Sequence, residues 1–66
     1  MSVAKTSEIT AASSKSFEDA IRQGISKMSK SVDNIEGAWV KEQKVIVEDG
    51  AVAAYRVTMK VTFIVK

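Results

Sequence analysis

The last third of the chain carries the pattern that most constrains its fold. From residue 53 to residue 65 every odd position is apolar, and the even positions, such as Arg56 and Thr58, are mostly polar. Strict alternation over so many residues indicates a β-strand with one dry face and one solvated face. A straight strand of this length spans roughly 45 Å. A compact chain of 66 residues has a radius of gyration of only about 11 Å, so the strand reaches beyond what one small protomer can cover.

The chain is short for an independent hydrophobic core. Chains of 66 residues bury only about 60% of their unfolded surface and usually depend on disulfides, metals or oligomerisation. The sequence contains no cysteine and no histidine, which removes disulfides, thiolate metal sites and the commonest metal ligand. We therefore expect one domain over residues 1–66 that is stabilised by association with further copies of itself.

Charge and hydropathy limit the partners and the location. The net charge is +2, from ten basic and eight acidic residues, which is too balanced to indicate nucleic acid or an anionic membrane by itself. No segment approaches a transmembrane span, and the first residues lack the apolar run of a secretory signal. The sequence therefore predicts a cytoplasmic protein without membrane partners.

Four elements are predicted, in the order β-α-β-β. A short strand at residues 3–10 leads through a serine-rich connector into a helix at residues 17–32, whose apolar side chains recur at the helical period. A second long strand at residues 35–47 is followed by an Asp-Gly turn signal at residues 48–50 and by the final strand. The predicted fold class is α+β, a three-stranded antiparallel sheet wrapped on one helix.

Two local features of the predicted helix follow from single residues: the capping of its first turn and a glycine in its apolar stripe. Ser13 or Ser16 can accept hydrogen bonds from the free backbone N–H groups of the first turn, and Ser16 with Asp19 makes a capping pattern. Gly24 interrupts the apolar stripe, where glycine costs roughly 1 kcal/mol relative to alanine. We predict that Gly24 allows the helix to pack closely against the sheet.

The predicted strands are longer than the helix that packs on them. A helix over residues 17–32 is about 24 Å long, so it cannot shield strands nearly twice that length. We expect the helix to cover the apolar odd face of the last strand and the even positions of the second strand: Ala38, Val40 and Ile46. The overhanging apolar ends, which include Phe63 and Val65, need cover from another copy. A closed homo-oligomer meets that need without unlimited aggregation.

The sequence offers no constellation for catalysis. Without histidine or cysteine it lacks the usual general base and the usual activated nucleophile, and no spacing among its acidic residues marks a carboxylate pair. Its three glycines are isolated and do not form a phosphate-cradling loop. We therefore predict a protein that is not an enzyme, with no catalytic residue and no dedicated metal ligands.

The single tryptophan, Trp39, falls by strand period on the polar face of the sheet, away from the helix. One interpretation is a subunit contact, where aromatic and arginine anchors are typical. A second is a stacking platform for a flat ligand, with Arg56 or Gln43 supplying hydrogen bonds. A third is a nucleic-acid platform of Trp39 with Lys41, Lys44, Arg56 and Lys60, although single-strand binders usually offer several aromatic side chains and a stronger basic bias.

Three segments, taken in order and with their spacing, resemble the dodecins, a family of small flavin-binding proteins. The segments are "SSKSFEDAI", "SVDNIEGAWVKEQ" and "GAVAAYRVTMKVTFIV". The resemblance implies a β-α-β-β protomer that assembles into a hollow dodecamer. It also implies a flavin, riboflavin or FMN, stacked between tryptophans at subunit interfaces and stored without turnover.

The chain departs from the family pattern at two positions. The resemblance aligns the family's stacking tryptophan with Gly37 and its flavin-bonding glutamine with Arg56, while Trp39 lies two residues further along the same strand. The expected ligand-binding residues are Trp39, Arg56, Gln43, Gly37 and Thr58.

Some dodecin-like proteins share the "YR" pair of the last strand, and a calcium-binding group is among them. The alternative function is therefore a flavin-less shell that binds a cation such as calcium or another small anionic ligand. Asp33, Glu36 and Asp49 offer oxygen ligands of the kind that calcium prefers. A sheet-face module for nucleic acid is the third alternative.

Overall fold

The computed structural model describes residues 3–66, which contain one helix and three strands in the predicted order. The elements are β1 (Val3–Ser13), α1 (Phe17–Met28), β2 (Ile35–Glu48) and β3 (Ala51–Val65). The strands form one antiparallel sheet in the order β1-β3-β2, and the α+β class is confirmed. The predicted domain also includes residues 1 and 2, which lie outside the described residues.

β1 pairs with β3 in one unbroken register, in which Ile9 lies opposite Met59 and Ala11 opposite Val57. The pairing continues to Ser13 opposite Tyr55, so β1 is three residues longer than the strand predicted over residues 3–10. The extension follows from packing, because Ala11 lies against the buried core beneath the helix. Residues 11–13, which were predicted as part of the connector, join the strand because the long β3 is available to pair with them.

The start of α1 is held by a polar network. Ser16 is the N-cap, and its hydroxyl accepts a hydrogen bond from the backbone N–H of Asp19 at 2.9 Å, as predicted. The buried Ser13 hydroxyl donates to the Asp19 carboxylate at 2.5 Å, and Gln23 donates to the same oxygen at 2.6 Å. The hydrogen bond from Ser13 is the main reason why the pKa of Asp19 lies below its ordinary value, and partial desolvation opposes the shift.

The helix ends at Met28, four residues before the end predicted over residues 17–32. Serine hydroxyls also bond to carbonyl groups of this segment, which disfavours a continued helix. The Ser29 hydroxyl donates to the carbonyl of Ser26 at 2.7 Å, and Ser31 donates to the carbonyl of Met28 at 3.4 Å. The helical spacing of apolar residues continues to Val32, so the spacing alone did not indicate where the helix ends.

The core lies between α1 and the central strand. Four apolar side chains are wholly buried there: Ala20, Val57, Met59 and Val61. Gly24 of α1 lies against Met59 of this core, and a Cβ at Gly24 would be 2.9 Å from Cε of Met59 and 3.0 Å from Cβ of Ala11. The close approach of helix and sheet that we predicted at Gly24 is therefore confirmed.

β2 is an edge strand that carries irregularities in its pairing. Its register with β3 shifts between Val40 and Glu42, where Lys41 is the extra residue of a β-bulge. Before the bulge, Ala38 and Val40 lie on the helix side of the sheet, as predicted. Beyond it, Ile46 pairs with Ala54 on the opposite side, so the prediction that Ile46 faces the helix is wrong.

The protomer is elongated, with Cα extents of 51 × 20 × 13 Å and a radius of gyration of 13.5 Å. The 12-residue helix is about 18 Å long and packs mainly against β1 and β3. Large apolar side chains therefore remain exposed at both ends of the strands: Val3, Val45, Val47, Val52 and Val65. Phe63, which we expected to overhang, is half-buried. Across residues 3–66 no helix is long and apolar enough to cross a membrane.

Candidate ligand-binding site

The face of the sheet turned away from α1, here called the outer face, collects polar side chains from all three strands. Residues that pair across antiparallel strands share a face, so the register identifies its members. They are Ala4, Thr6, Glu8, Thr10 and Ala12 of β1, Ala54, Arg56, Thr58, Lys60, Thr62 and Ile64 of β3, and Gly37, Trp39, Glu42, Lys44 and Ile46 of β2.

Trp39 is the one aromatic side chain of this face, and it is 66% exposed. It lies directly opposite Lys60, whose Nζ is 5.8 Å from the centroid of the indole ring. At this distance an ammonium group interacts favourably with the ring's quadrupole, a contact worth about 0.5–1 kcal/mol at an exposed site. The contact orients the ring but leaves most of its surface in water.

A salt bridge spans the outer face beside the tryptophan. Nζ of Lys41 lies 3.3 Å from Oε1 of Glu8, which belongs to the strand on the far side of β3. The bulge at Lys41 makes this reach possible, because it turns an additional side chain toward the outer face. Near the salt bridge the hydroxyls of Thr10 and Thr58 are 3.2 Å apart.

A cavity of about 240 Å³ opens on the outer face, and its lining brings together residues of all three strands: Thr10, Glu42, Lys44, Arg56 and Thr58. Lys44 and Arg56 lie directly opposite each other. Neither makes an ion pair within residues 3–66. The cavity is therefore polar, and basic groups outnumber acidic groups in its lining.

The outer face holds four of the five residues expected to bind a ligand: Trp39, Arg56, Gly37 and Thr58. The fifth, Gln43, was expected on the same face by strict alternation, and this placement is wrong. The bulge at Lys41 shifts the alternation by one residue, so Gln43 pairs with the buried Val57 on the helix side. Its side chain is therefore not part of the outer-face site.

Sequence reasoning missed the contribution of Glu42 to the outer face, and it grouped Lys44 with Trp39 only in the nucleic-acid interpretation. The signal that identifies them is the run of four polar residues from 41 to 44, which no half-buried strand produces with a strict period of two. Such a run indicates a bulge on an edge strand. Thr10 was also missed, because the pairing of β1 with β3 is not visible in the local pattern.

A larger groove of about 520 Å³ lies between α1 and the free edge of β1, and its lining includes Ile9, Gly24 and Lys27. No aromatic side chain lines this groove. Trp39, Arg56, Thr58 and Gly37 are all absent from its lining, so we locate the candidate site on the outer face.

Acidic side chains are scattered over the described part of the chain. Nowhere in residues 3–66 do three of them come close enough together to hold a metal ion. Of the three proposed calcium ligands, Asp33, Glu36 and Asp49, none lines the outer-face cavity.

The fold defines a small β-α-β-β protein in which one helix covers a three-stranded antiparallel sheet. The dodecin family model matches residues 3–66 of this chain. A dodecin from Streptomyces davaonensis is 31% identical, has a TM-score of 0.94, and aligns over 98% of this chain and 96% of its own. The chain therefore belongs to the dodecin family.

Two further solved structures extend the comparison. A protein from Mycobacterium tuberculosis, described as a calcium-chelating antigen and calcium dodecin with a novel calcium-binding site, is 31% identical. Its TM-score is 0.84, over 97% of this chain and 91% of its own. An arginine-to-alanine variant of the Thermus thermophilus dodecin shares the fold, with 24% identity and a TM-score of 0.95 over 100% of this chain and 98% of its own. A comparison with curated proteins yields no significant match.

Proposed function

We propose that this protein binds a flavin, riboflavin or FMN, on the outer face and stores it without chemical turnover in a cytoplasmic homododecamer. The family supports this proposal, because dodecins are flavin-binding storage proteins that form homo-oligomers. The single observation that carries it for this chain is the exposure of Trp39, 66% of which faces water on a sheet face that is mainly polar around it.

An exposed tryptophan on such a face can contribute binding free energy when a ligand covers its ring. A tryptophan side chain buries roughly 150–250 Å² when it is covered, and an aromatic pair adds about 0.5–1.5 kcal/mol beyond the area term. The isoalloxazine ring of a flavin is flat and apolar on its faces, so it is a good partner for the indole. Trp39 provides the stacking surface in this proposal, and Lys60 fixes the orientation of its ring.

Gly37 supports the same location. A Cβ built on Gly37 meets nothing within 4 Å, and its φ is not in the left-handed region, so neither packing nor backbone conformation within the protomer requires glycine there. Glycine weakens a strand interior and often marks a position where a ligand or another backbone approaches closely. Gly37 lies two residues from Trp39 on the same face and leaves open space beside the indole.

The remaining site residues supply polar contacts to the ligand. Arg56 has a planar guanidinium with five N–H donors, and Thr58 has a hydroxyl; both side chains line the outer-face cavity.

A bound flavin has a ring that can be photoexcited. An indole stacked on that ring quenches the excited state, which limits the side reactions of stored flavin.

Assembly completes the proposed site. One copy of Trp39 covers a single face of a flat ring, so a second copy is needed to exclude water from the other face. Apolar side chains remain exposed at the strand ends, among them Val47 and Val65. Burial of these side chains between copies favours association of the protomers. We therefore place the ligand at contacts between copies of this chain.

A second candidate is the binding of calcium, which the similarity to the M. tuberculosis calcium dodecin favours. Calcium prefers six to eight oxygen ligands. Because residues 3–66 bring no three acidic groups together, such a site would have to add backbone carbonyls, water or side chains of a second copy.

Fluorescence titration distinguishes the two candidates. The purified protein is titrated into riboflavin and into FMN, and calcium binding is measured in parallel by calorimetry. Quenching of flavin fluorescence that saturates at a fixed ratio of flavin to protein supports the proposed function. Unchanged flavin fluorescence together with heat from calcium binding overturns it in favour of the second candidate.

A further inference from the structure

The hairpin that joins β2 and β3 ends in an exposed tip. This hairpin tip, residues 45–52, extends past the end of β1, because β1 stops at Ser13, opposite Tyr55. Glu48 and Asp49 are exposed there and make no ion pair within residues 3–66. Three valines are exposed beside them: Val45, Val47 and Val52. The hairpin tip is therefore an apolar surface with two carboxylates, and it contains no basic residue.

The groove of about 520 Å³ between α1 and the free edge of β1, here called the α1–β1 groove, has the complementary character. Apolar groups from both elements form much of its lining: Ile9, Ala11, Ala12, Gly24 and Met28. Among the lining residues Lys27 alone is charged, and it makes no ion pair within residues 3–66. An apolar groove with one uncompensated cation fits an apolar segment that carries carboxylates.

The free edge of β1 is a second reason to expect a partner in this groove. β1 pairs on one side only and in one unbroken register, so its 11 residues present a regular row of unpaired backbone groups. Such an edge invites pairing with another chain, and natural proteins cover it or disrupt it with bulges and prolines. Register shifts disrupt β2, whereas β1 has neither a bulge nor a proline. An extended segment can therefore pair with β1 where it borders the groove.

The hairpin tip cannot reach the groove of its own protomer. Ala11, in the lining of the groove, lies opposite Val57, which is six residues along β3 from Ala51 at the hairpin tip. Six residues of strand span about 20 Å. Both segments belong to one continuous sheet, so no turn of the chain brings them together. A hairpin tip that fills the groove therefore belongs to a second copy of the chain.

We propose that the hairpin tip of one copy docks in the α1–β1 groove of the next copy. Val47 and Val52 cover the apolar lining in this contact, and Glu48 and Asp49 lie beside Lys27. Each copy uses its tip on one neighbour and its groove on another, so the contact is heterologous and generates closed rings when the rotation between copies closes. The proposal rests on the homo-oligomer of the proposed function, and it is independent of the flavin.

Charge reversal on the two sides tests the contact. Lys27→Glu places a carboxylate beside Glu48 and Asp49, and Glu48→Lys places an ammonium beside Lys27. Each change should raise the protein concentration at which half of the oligomer dissociates by about tenfold or more, measured by light scattering in native buffer. The combination Lys27→Glu/Glu48→Lys exchanges the two charges and should restore most of the association.

The matched control is Lys27→Glu/Glu36→Lys, in which the second change is made on an exposed glutamate at the opposite end of β2. Both double variants keep the parent net charge of +2, so a general effect of charge acts on them alike. The control should stay dissociated. Circular dichroism of each variant verifies that the protomer is folded.

A dissociation concentration that is unchanged in either single variant overturns the contact alone. Failure of Glu48→Lys to rescue Lys27→Glu, or equal rescue by Glu36→Lys, also overturns it. If a reversed charge unfolds the protomer, Lys27→Gln and Glu48→Gln replace the reversals, and the double variant should then cost no more than either single one. Costs that simply add overturn the contact. A parent protein that stays monomeric overturns the contact and the proposed oligomer together, and leaves the groove to a different partner.

Discussion

Gly24 of α1 and Met59 of β3 approach so closely that a Cβ on the glycine would lie 2.9 Å from Cε of the methionine. The end of the Met59 side chain can shift, but Cβ of Ala11, which would lie 3.0 Å from the same added atom, is fixed to the backbone of β1. Gly24→Ala gains roughly 1 kcal/mol of helix propensity, but overpacking a core costs about 1–3 kcal/mol. We expect a net decrease of about 1 kcal/mol in the free energy of unfolding, measured by urea denaturation.

The matched control for this change is Ser26→Ala, which lies on the exposed side of the same helix. It brings the gain in helix propensity without the contact, so the free energy of unfolding should stay the same or rise slightly. A Gly24→Ala protein that is as stable as the Ser26→Ala protein would show that the helix can move away from the sheet at little cost.

Trp39→Ala should weaken flavin binding at least tenfold, by about 1.4 kcal/mol or more, because it removes the stacking surface. Assembly should be unchanged, as judged by size-exclusion chromatography with light scattering. Because the chain has a single tryptophan, its intrinsic fluorescence in the parent protein gives an independent measure of flavin contact. Dissociation of the Trp39→Ala oligomer would instead identify Trp39 as a subunit contact, the first of the three interpretations that its position allows.

Val47→Asp should dissociate the oligomer and leave the protomer folded. Val47 is 57% exposed in the protomer, so the change removes little internal packing, whereas a charge buried at a contact between copies is costly. Phe63→Asp should also dissociate it, but Phe63 is half-buried, so that change damages the protomer as well. The measurement is the mass in native buffer. Ser26→Asp serves as the charge control, and an intact Val47→Asp oligomer would place the interface elsewhere.

The network at the helix start predicts a dependence of stability on pH. The hydrogen bond from Ser13 lowers the pKa of folded Asp19 below the ordinary value of 3.8, so the carboxylate stabilises the fold above that pH. This contribution is lost as the pH falls below 3.8 and through the folded pKa. Asp19→Asn should therefore be less stable than the parent at neutral pH, and the difference should shrink below about pH 3.8 in urea titrations. A difference that is independent of pH would contradict the assignment.

Local signals in the sequence predicted those parts of the fold that depend on neighbouring residues. Ser16 caps the helix as expected, and Asp49 and Gly50 form the tight hairpin turn with φ values of 51° and 76°. The alternation of β3 correctly identified Val57 and Met59 as buried positions of the sheet. Each of these features is decided within a few residues along the chain.

The features that the sequence did not predict depend on contacts between distant segments. β1 extends to Ser13 because β3 is long enough to pair with it, and nothing near Ser13 indicates that length. The bulge at Lys41 moves Gln43 to the helix side of the sheet and Lys44 to the outer face. A bulge changes every later assignment of face on the strand, so Gly37 and Trp39, before Lys41, lie on the predicted face of the sheet, whereas Gln43, beyond it, does not.

Substitution of Gly37 should change flavin affinity without lowering the stability of the protomer. A Cβ at this position meets nothing within 4 Å, and valine has a higher strand propensity than glycine, so Gly37→Val should leave the protomer as stable as the parent or more stable. The same side chain fills the open space beside Trp39, so flavin affinity should fall roughly tenfold. Thr62→Val, at the position directly opposite Gly37, provides the control, because it changes an existing side chain without closing that space. Thermal unfolding and fluorescence titration of the same preparations measure both effects. Unchanged flavin affinity in Gly37→Val would mean that the ligand does not approach Gly37, and the ring would then have to lie on the side of Trp39 toward the cavity.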